Sequence, residues 1–144
     1  MNLNHLRDEI HEHVKSKGFY DGMKELLDSQ TELGRNTDIV KHAFFAQQIS
    51  LIHSELSEAV EADRIGKHAD LTQFQTEMET SDGSEKAFTN AFQTHVKNTV
   101  EDELADVTIR VLDLCGYIGI DIAEHIKLKM DYNKLRAYKH GKNY

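Results

Sequence analysis

"SLIHSELSEAVEADR", residues 50–64, has the three-and-four spacing of an amphipathic helix, and two of its acids decide how the chain is read. Each helical residue advances about 100°, so Phe44, Gln48, Leu51, Ile52, Ala59 and Ala62 all fall within about a sixth of a turn of Glu55. Glu55 therefore lies inside the apolar arc and Glu58 at its edge, while His53, Ser54, Ser57 and Glu61 take the far side. A helix that aims carboxylates at its own core needs something to make their burial tolerable.

Lack of room does not force the acids inward. A chain of 144 residues buries a real core without disulfides or metals to staple it, and is read as one domain, residues 1–144. Charged residues make up 29% and hydrophobic ones 39%, an ordinary soluble balance. No apolar run approaches the roughly 18 residues of a membrane span. The opening "MNLNHLRDEIHEHVK" is charged and lacks an apolar h-region, so it does not read as a secretory signal, and a cytoplasmic location is expected. The lone cysteine, Cys115 in "VLDLCGYIG", reads as core filler.

A net charge of −8 disfavours long nucleic acid, whose phosphates want a basic surface. A nucleotide is admissible if divalent cations lie between the two sets of negative charges. The chain has no proline, where average usage would give about seven. This points to helix throughout.

Leu3, Leu6, Ile10 and Val14 predict a helix over 3–16, broken at Gly18. In it, "EIHEH" repeats the acid spacing, and Glu9, His11, Glu12 and His13 read as surface. A shorter segment surrounds Met23, Leu26 and Leu27 and ends by Gly34. Asn36 or Thr37 would cap a long helix over 38–64. Residues 66–84 carry little signal beyond the loop "TSDGS". From Phe88 through Phe92, Val96, Val100, Leu104, Val107 and Val111 to Cys115 the spacing predicts one helix over 85–117. Gly119 suits its end, and "DIAE" predicts a capping box on Asp121 and Glu124 that opens a last helix over 121–137. The fold expected is an all-α bundle of about four to five helices.

The second acidic pair lies in "VEDELADVTIRVLDL". Asp106 and Arg110 fall within about 60° of Glu103, beside an arc of Leu104, Val107, Val111 and Cys115. Two packed helices, each carrying acids at i and i+3, would gather four carboxylates. Unpaired buried carboxylates cost several kcal/mol each and repel one another. Cations can hold them, and an all-carboxylate set is a hard ligand set that suits Mg²⁺, with Mn²⁺ as a substitute, over zinc. Opposite charge is supplied by Lys129, Asn133 and Arg136, within about 60° of a common line with Tyr132 alongside, and by Lys139, His140 and Lys142 in the tail. Such a face could take phosphate oxygens and a sugar or base edge.

The succession E-x-x-E (Glu55, Glu58), E-x-x-D (Glu103, Asp106) and K-x-x-x-N-x-x-R (Lys129, Asn133, Arg136) resembles the MazG-like, all-α nucleoside triphosphate pyrophosphohydrolases. "ELSEAVEADR", "VEDELADVTIRVLDLCGYIGIDI", "YNKLRAYKHGK" and "KGFYD" each resemble family segments. The resemblance implies that Glu55, Glu58, Glu103 and Asp106 bind Mg²⁺ as catalytic metal ligands. It also implies that water attacks the α-phosphorus of a nucleoside triphosphate, releasing monophosphate and pyrophosphate, and that Lys129, Asn133 and Arg136 contact the nucleotide. Phe44 and Gln48, two to three turns before Glu55, and Tyr132 are the candidates for the base pocket. The interval between Glu58 and Glu103 is longer than the family's usual spacing, with the extra segment at about 66–96. Family members are dimers or tetramers, so a homo-oligomer is expected.

A carboxylate-bridged di-iron bundle would need E-x-x-H on two helices, and neither acid pair is followed by such a histidine. The remaining alternative is a non-catalytic helical module that holds a nucleotide and uses the acids as a structural metal site.

Overall fold

A computed structural model describes residues 2–137. Seven α-helices succeed one another: α1 (Leu3–Ser16), α2 (Asp21–Glu32), α3 (Asp38–Arg64), α4 (Leu71–Thr80), α5 (Glu85–His95), α6 (Val100–Ile118) and α7 (Ile122–Lys134). No strand occurs among the described residues. The class is all-α, and α1 and α3 fall where the apolar spacing places them. Asn36 supplies the side-chain bond at the start of α3, its Oδ1 accepting from the Asp38 amide at 2.7 Å.

The helix count exceeds the expected four to five for two local reasons. Within the weakly patterned stretch, Asp70 Oδ1 accepts from the Gln73 amide at 2.9 Å and opens α4. The single helix expected over 85–117 is broken between His95 and Val100. There Asn98 adopts a left-handed φ of 57°, which asparagine tolerates better than most residues. The Val96 and Lys97 amides both close on Phe92 O at 2.9 Å. Thr99 Oγ1 accepts from the Asp102 amide at 3.3 Å, and Asp102 Oδ2 accepts from the Asn98 amide at 2.8 Å. These two side-chain caps start a new helix at Val100. Downstream, Gly119 (φ 71°) ends α6 and Asp121 caps α7 through the Glu124 amide, while α7 stops at Lys134 rather than at 137.

The described residues form two compact units, one comprising the chain up to Glu25 together with the chain from Leu112 onward, the other Leu26–Val111. In the Leu26–Val111 unit, the extra segment at 66–96 folds as a hairpin of α4 and α5. Phe74 meets Phe88 edge-on at 5.7 Å, Phe88 stacks on Phe92, and Ala91 is fully buried. The hairpin base is closed by Asp70 N donating to His95 O and tied to α6 by Val100 N donating to Lys67 O at 3.1 Å. That bond brings the chain leaving α3 to the start of α6. On α3 the buried residues are Phe44, Glu55, Ala59 and Ala62, so the stripe runs through Glu55 as its spacing predicts. On α6 the expected apolar arc is only partly realised: Leu104 is 48% exposed and Val111 is exposed, whereas Glu103 is 4% exposed.

In the other unit, α1 is fastened to the turn between α6 and α7. Asn4 Nδ2 donates to Asp121 Oδ1 at 2.8 Å, and an Arg7 guanidinium N–H donates to Ile120 O. Deeper in, buried Asp113 takes one partner on each oxygen: His11 Nδ1 at 2.8 Å from Oδ1 and the Tyr20 hydroxyl, donating to Oδ2, at 2.8 Å. Tyr20 stacks on Tyr117 with centroids 5.3 Å apart. Gly116 permits this approach, since a Cβ there would lie 2.6 Å from His11 Cβ. The surface reading of "EIHEH" thus holds for Glu9, Glu12 and His13, which are exposed, but not for His11. Cys115 is a buried free thiol, its pKa raised by that burial.

Candidate metal centre

Glu55 and Glu58 project from α3 and Glu103 from α6, and one carboxylate oxygen of each lies within 4.8 Å of the other two. All three belong to the Leu26–Val111 unit. Glu55 and Glu103 are buried at 8% and 4% exposure, whereas Glu58 is exposed, so the group opens to water on the Glu58 side. Glu103 makes no side-chain hydrogen bond or ion pair among the described residues. Desolvation pushes its pKa above the ordinary glutamate value, and repulsion from Glu58, Asp102, Glu55 and Asp106 adds to the shift.

Asp106, expected as a fourth ligand, stands outside this three-oxygen group and is exposed. It still feels the cluster. Its pKa is raised by desolvation first and then by Asp102 and Glu55, while Arg110 opposes them. Arg110 is also the counter-charge of Glu55: its Nε and Nη2 both lie 2.6 Å from Glu55 Oε1. The Ser54 hydroxyl donates to Glu58 Oε1 at 3.3 Å.

The donors fit a hard divalent cation. Oxygens around Mg²⁺ stand about 3.0 Å apart when adjacent and about 4.2 Å when opposite, so three oxygens within 4.8 Å of one another would draw together on such an ion. The set contains oxygen alone, without the nitrogen or sulfur that zinc prefers. The buried, unpartnered Glu103 carboxylate is the group whose cost such an ion would offset.

The remaining candidates divide between the units. Phe44 is buried and Gln48 half-buried on α3. Lys129, Tyr132 and Asn133 lie on α7 and Arg136 just beyond its end, in the unit that holds α1. Lys129 Nζ is 5.3 Å and Arg136 Cζ 6.0 Å from the centroid of the Tyr132 ring, so the two cations do gather round this exposed tyrosine. Asn133 Oδ1 is buried with no hydrogen-bond partner among the described residues, a state that costs roughly 1–3 kcal/mol. Lys139, His140 and Lys142 lie outside the described residues.

Two functional-looking contacts went unread in the sequence. The Arg110–Glu55 pair was signalled only by Arg110 sharing the Glu103 and Asp106 side of its helix. The His11–Asp113 pair was signalled by an acid set among Val111, Leu112, Leu114 and Cys115. Comparisons with protein-family models, curated proteins and solved structures give no match to this chain. No described helix is long and apolar enough to cross a membrane.

Proposed function

We propose that this protein is a MazG-like, divalent-metal-dependent pyrophosphohydrolase that splits (deoxy)nucleoside triphosphates between the α and β phosphates. The reading rests on one observation above all: Glu103, a buried carboxylate without a partner among the described residues, converges with Glu55 and Glu58 from a second helix. The order of the three motifs along the chain adds to it.

In this reading Glu55, Glu58 and Glu103 hold Mg²⁺, or Mn²⁺ in its place, and Asp106 completes the acidic rim. When bound, the metal supplies charge neutralisation and activation of the nucleophile. Water oxygen bonds to the α-phosphorus, the bridging bond to the β-phosphate breaks, and monophosphate and pyrophosphate leave. The water is oriented by one of the acids, and the exposure of Glu58 favours it for that role. Lys129 and Arg136 bind phosphate oxygens, and the orphaned Asn133 Oδ1 accepts a donor from the sugar or base. Phe44 and Gln48, on the same helix as Glu55 and Glu58, contribute to the base pocket.

We assign the protein to clearance of nucleotides in the cytoplasm. A homo-dimer or tetramer accords with exposed Leu56, Val60, Leu104 and Ile109 on α3 and α6, and with the lack of any fully buried large side chain among the described residues.

Supplied with Mg²⁺ and a panel of triphosphates, the protein is expected to release pyrophosphate, and Glu55→Gln or Asp106→Asn to stop it. Orthophosphate released from the γ position would contradict the proposal. Tight nucleotide binding without turnover would instead favour a non-catalytic nucleotide-binding module with a structural metal.

A further inference from the structure

Of the three clustered carboxylates, Glu55 alone has an ion-pair partner among the described residues. Arg110 closes on a single oxygen of it: Nε and Nη2 both reach Oε1 at 2.6 Å. The two partners are unequally placed with respect to water. The Glu55 side chain is 10% exposed, but that of Arg110 is 38% exposed. If a stronger cation takes the carboxylate, the guanidinium has solvent to turn into, whereas Glu55 has no such retreat. Arg110 also stands on the same helix as Glu103 and Asp106, one turn beyond Asp106.

We infer that Arg110 is a built-in counter-cation of the carboxylate group, one that a divalent ion must outcompete at Glu55 Oε1, so that this residue sets the metal affinity of the site. The inference rests on the reading of Glu55, Glu58 and Glu103 as metal ligands. Because a divalent ion must break this pair to reach the carboxylate, its affinity falls by roughly tenfold or more, the worth of a close charge pair in a partly dry medium. Arg110 is thus a positioning residue: it holds Glu55 in rotamer and restrains how tightly metal alone binds.

The test is calorimetric titration of Mn²⁺ alone into the full chain, its Arg110→Gln variant and its Arg110→Lys variant. Arg110→Gln is expected to bind Mn²⁺ about tenfold more tightly, and Arg110→Lys, which keeps the charge, to stay near wild type. Binding by Arg110→Gln where wild type shows none would support the inference equally. Equal or weaker binding by Arg110→Gln, beside measurable wild-type binding, would overturn it and leave the metal reading standing. Absence of binding by all three would overturn both. Should Arg110→Gln fail to fold, wild type still decides: on titration with Mg²⁺ the Arg110 Nε–H resonance should move to the position of a solvated guanidinium. An unmoved resonance during saturable Mg²⁺ binding would refute the exchange.

Discussion

Glu103→Gln is expected to cut triphosphate cleavage by more than about a hundredfold, a loss larger than that typical for groups around metal ligands, while raising the stability of the chelator-treated protein. The two effects share one cause. Glu103 is 4% exposed and its carboxylate has no hydrogen bond or ion pair among the described residues, so as an anion it weakens the fold that holds it. Its pKa is raised by desolvation and then by the neighbouring acids. The folded chain therefore holds this proton more tightly than the unfolded chain does. Well above the folded pKa the ionised group penalises folding, and the penalty fades as pH falls through that pKa. Glutamine keeps the shape and removes the charge. In chelator at about pH 8 the variant should gain about 1 kcal/mol, a rise of a few degrees in melting temperature, and the gain should shrink towards about pH 5. With saturating Mn²⁺ the order should reverse, since only wild type gains from the ion. Scanning calorimetry with and without Mn²⁺, beside a pyrophosphate assay, checks all of this. A variant less stable than wild type in chelator at the higher pH would contradict it.

Asp113→Ala should have the largest purely structural effect, about 3 kcal/mol, or roughly 10 °C in melting temperature. Asp113 is 6% exposed and engages His11 through one oxygen and the Tyr20 hydroxyl through the other. Truncation deprives both partners of their acceptor inside a packed cluster, where close contact between His11 and Gly116 leaves little scope for rearrangement. Asp113→Asn, which keeps shape and one acceptor oxygen, should lose less. Burial and the bond to Asp113 hold the Tyr20 phenol well above the ordinary tyrosine pKa. Its contribution is then present in full below about pH 10 and lost as pH rises beyond, because the unfolded chain ionises there first. Thermal melts of both variants, extended to alkaline pH, report the sign and size. A shift under about 2 °C for Asp113→Ala, less than about 1 kcal/mol, would show that the network carries no such load.

Helices with a clean apolar stripe were legible in the sequence. Leu3, Leu6, Ile10 and Val14 placed α1, and the arc through Phe44, Ala59 and Ala62 placed α3 with Glu55 turned inward. The break between α5 and α6 was hidden because apolar spacing runs on unbroken through Phe92, Val96 and Val100. What interrupts the helix there is polar and local: a left-handed Asn98, whose amide donates to Asp102, and Thr99, which accepts from the Asp102 amide. The pairing of the acids on α3 with Glu103 was legible too, but the membership of the group was not. How far α6 is rolled about its axis is decided by its neighbours rather than by its own pattern. Rolled as it is, Glu103 goes in while Leu104, Val111 and Asp106 stay out.

Anomalous diffraction from crystals soaked in Mn²⁺ tests the central claim most directly. A strong peak is expected about 2.1–2.3 Å from carboxylate oxygens of Glu55, Glu58 and Glu103. Crystals saturated with Mn²⁺ that show no peak there, or that show those three side chains spread apart in water, would contradict it.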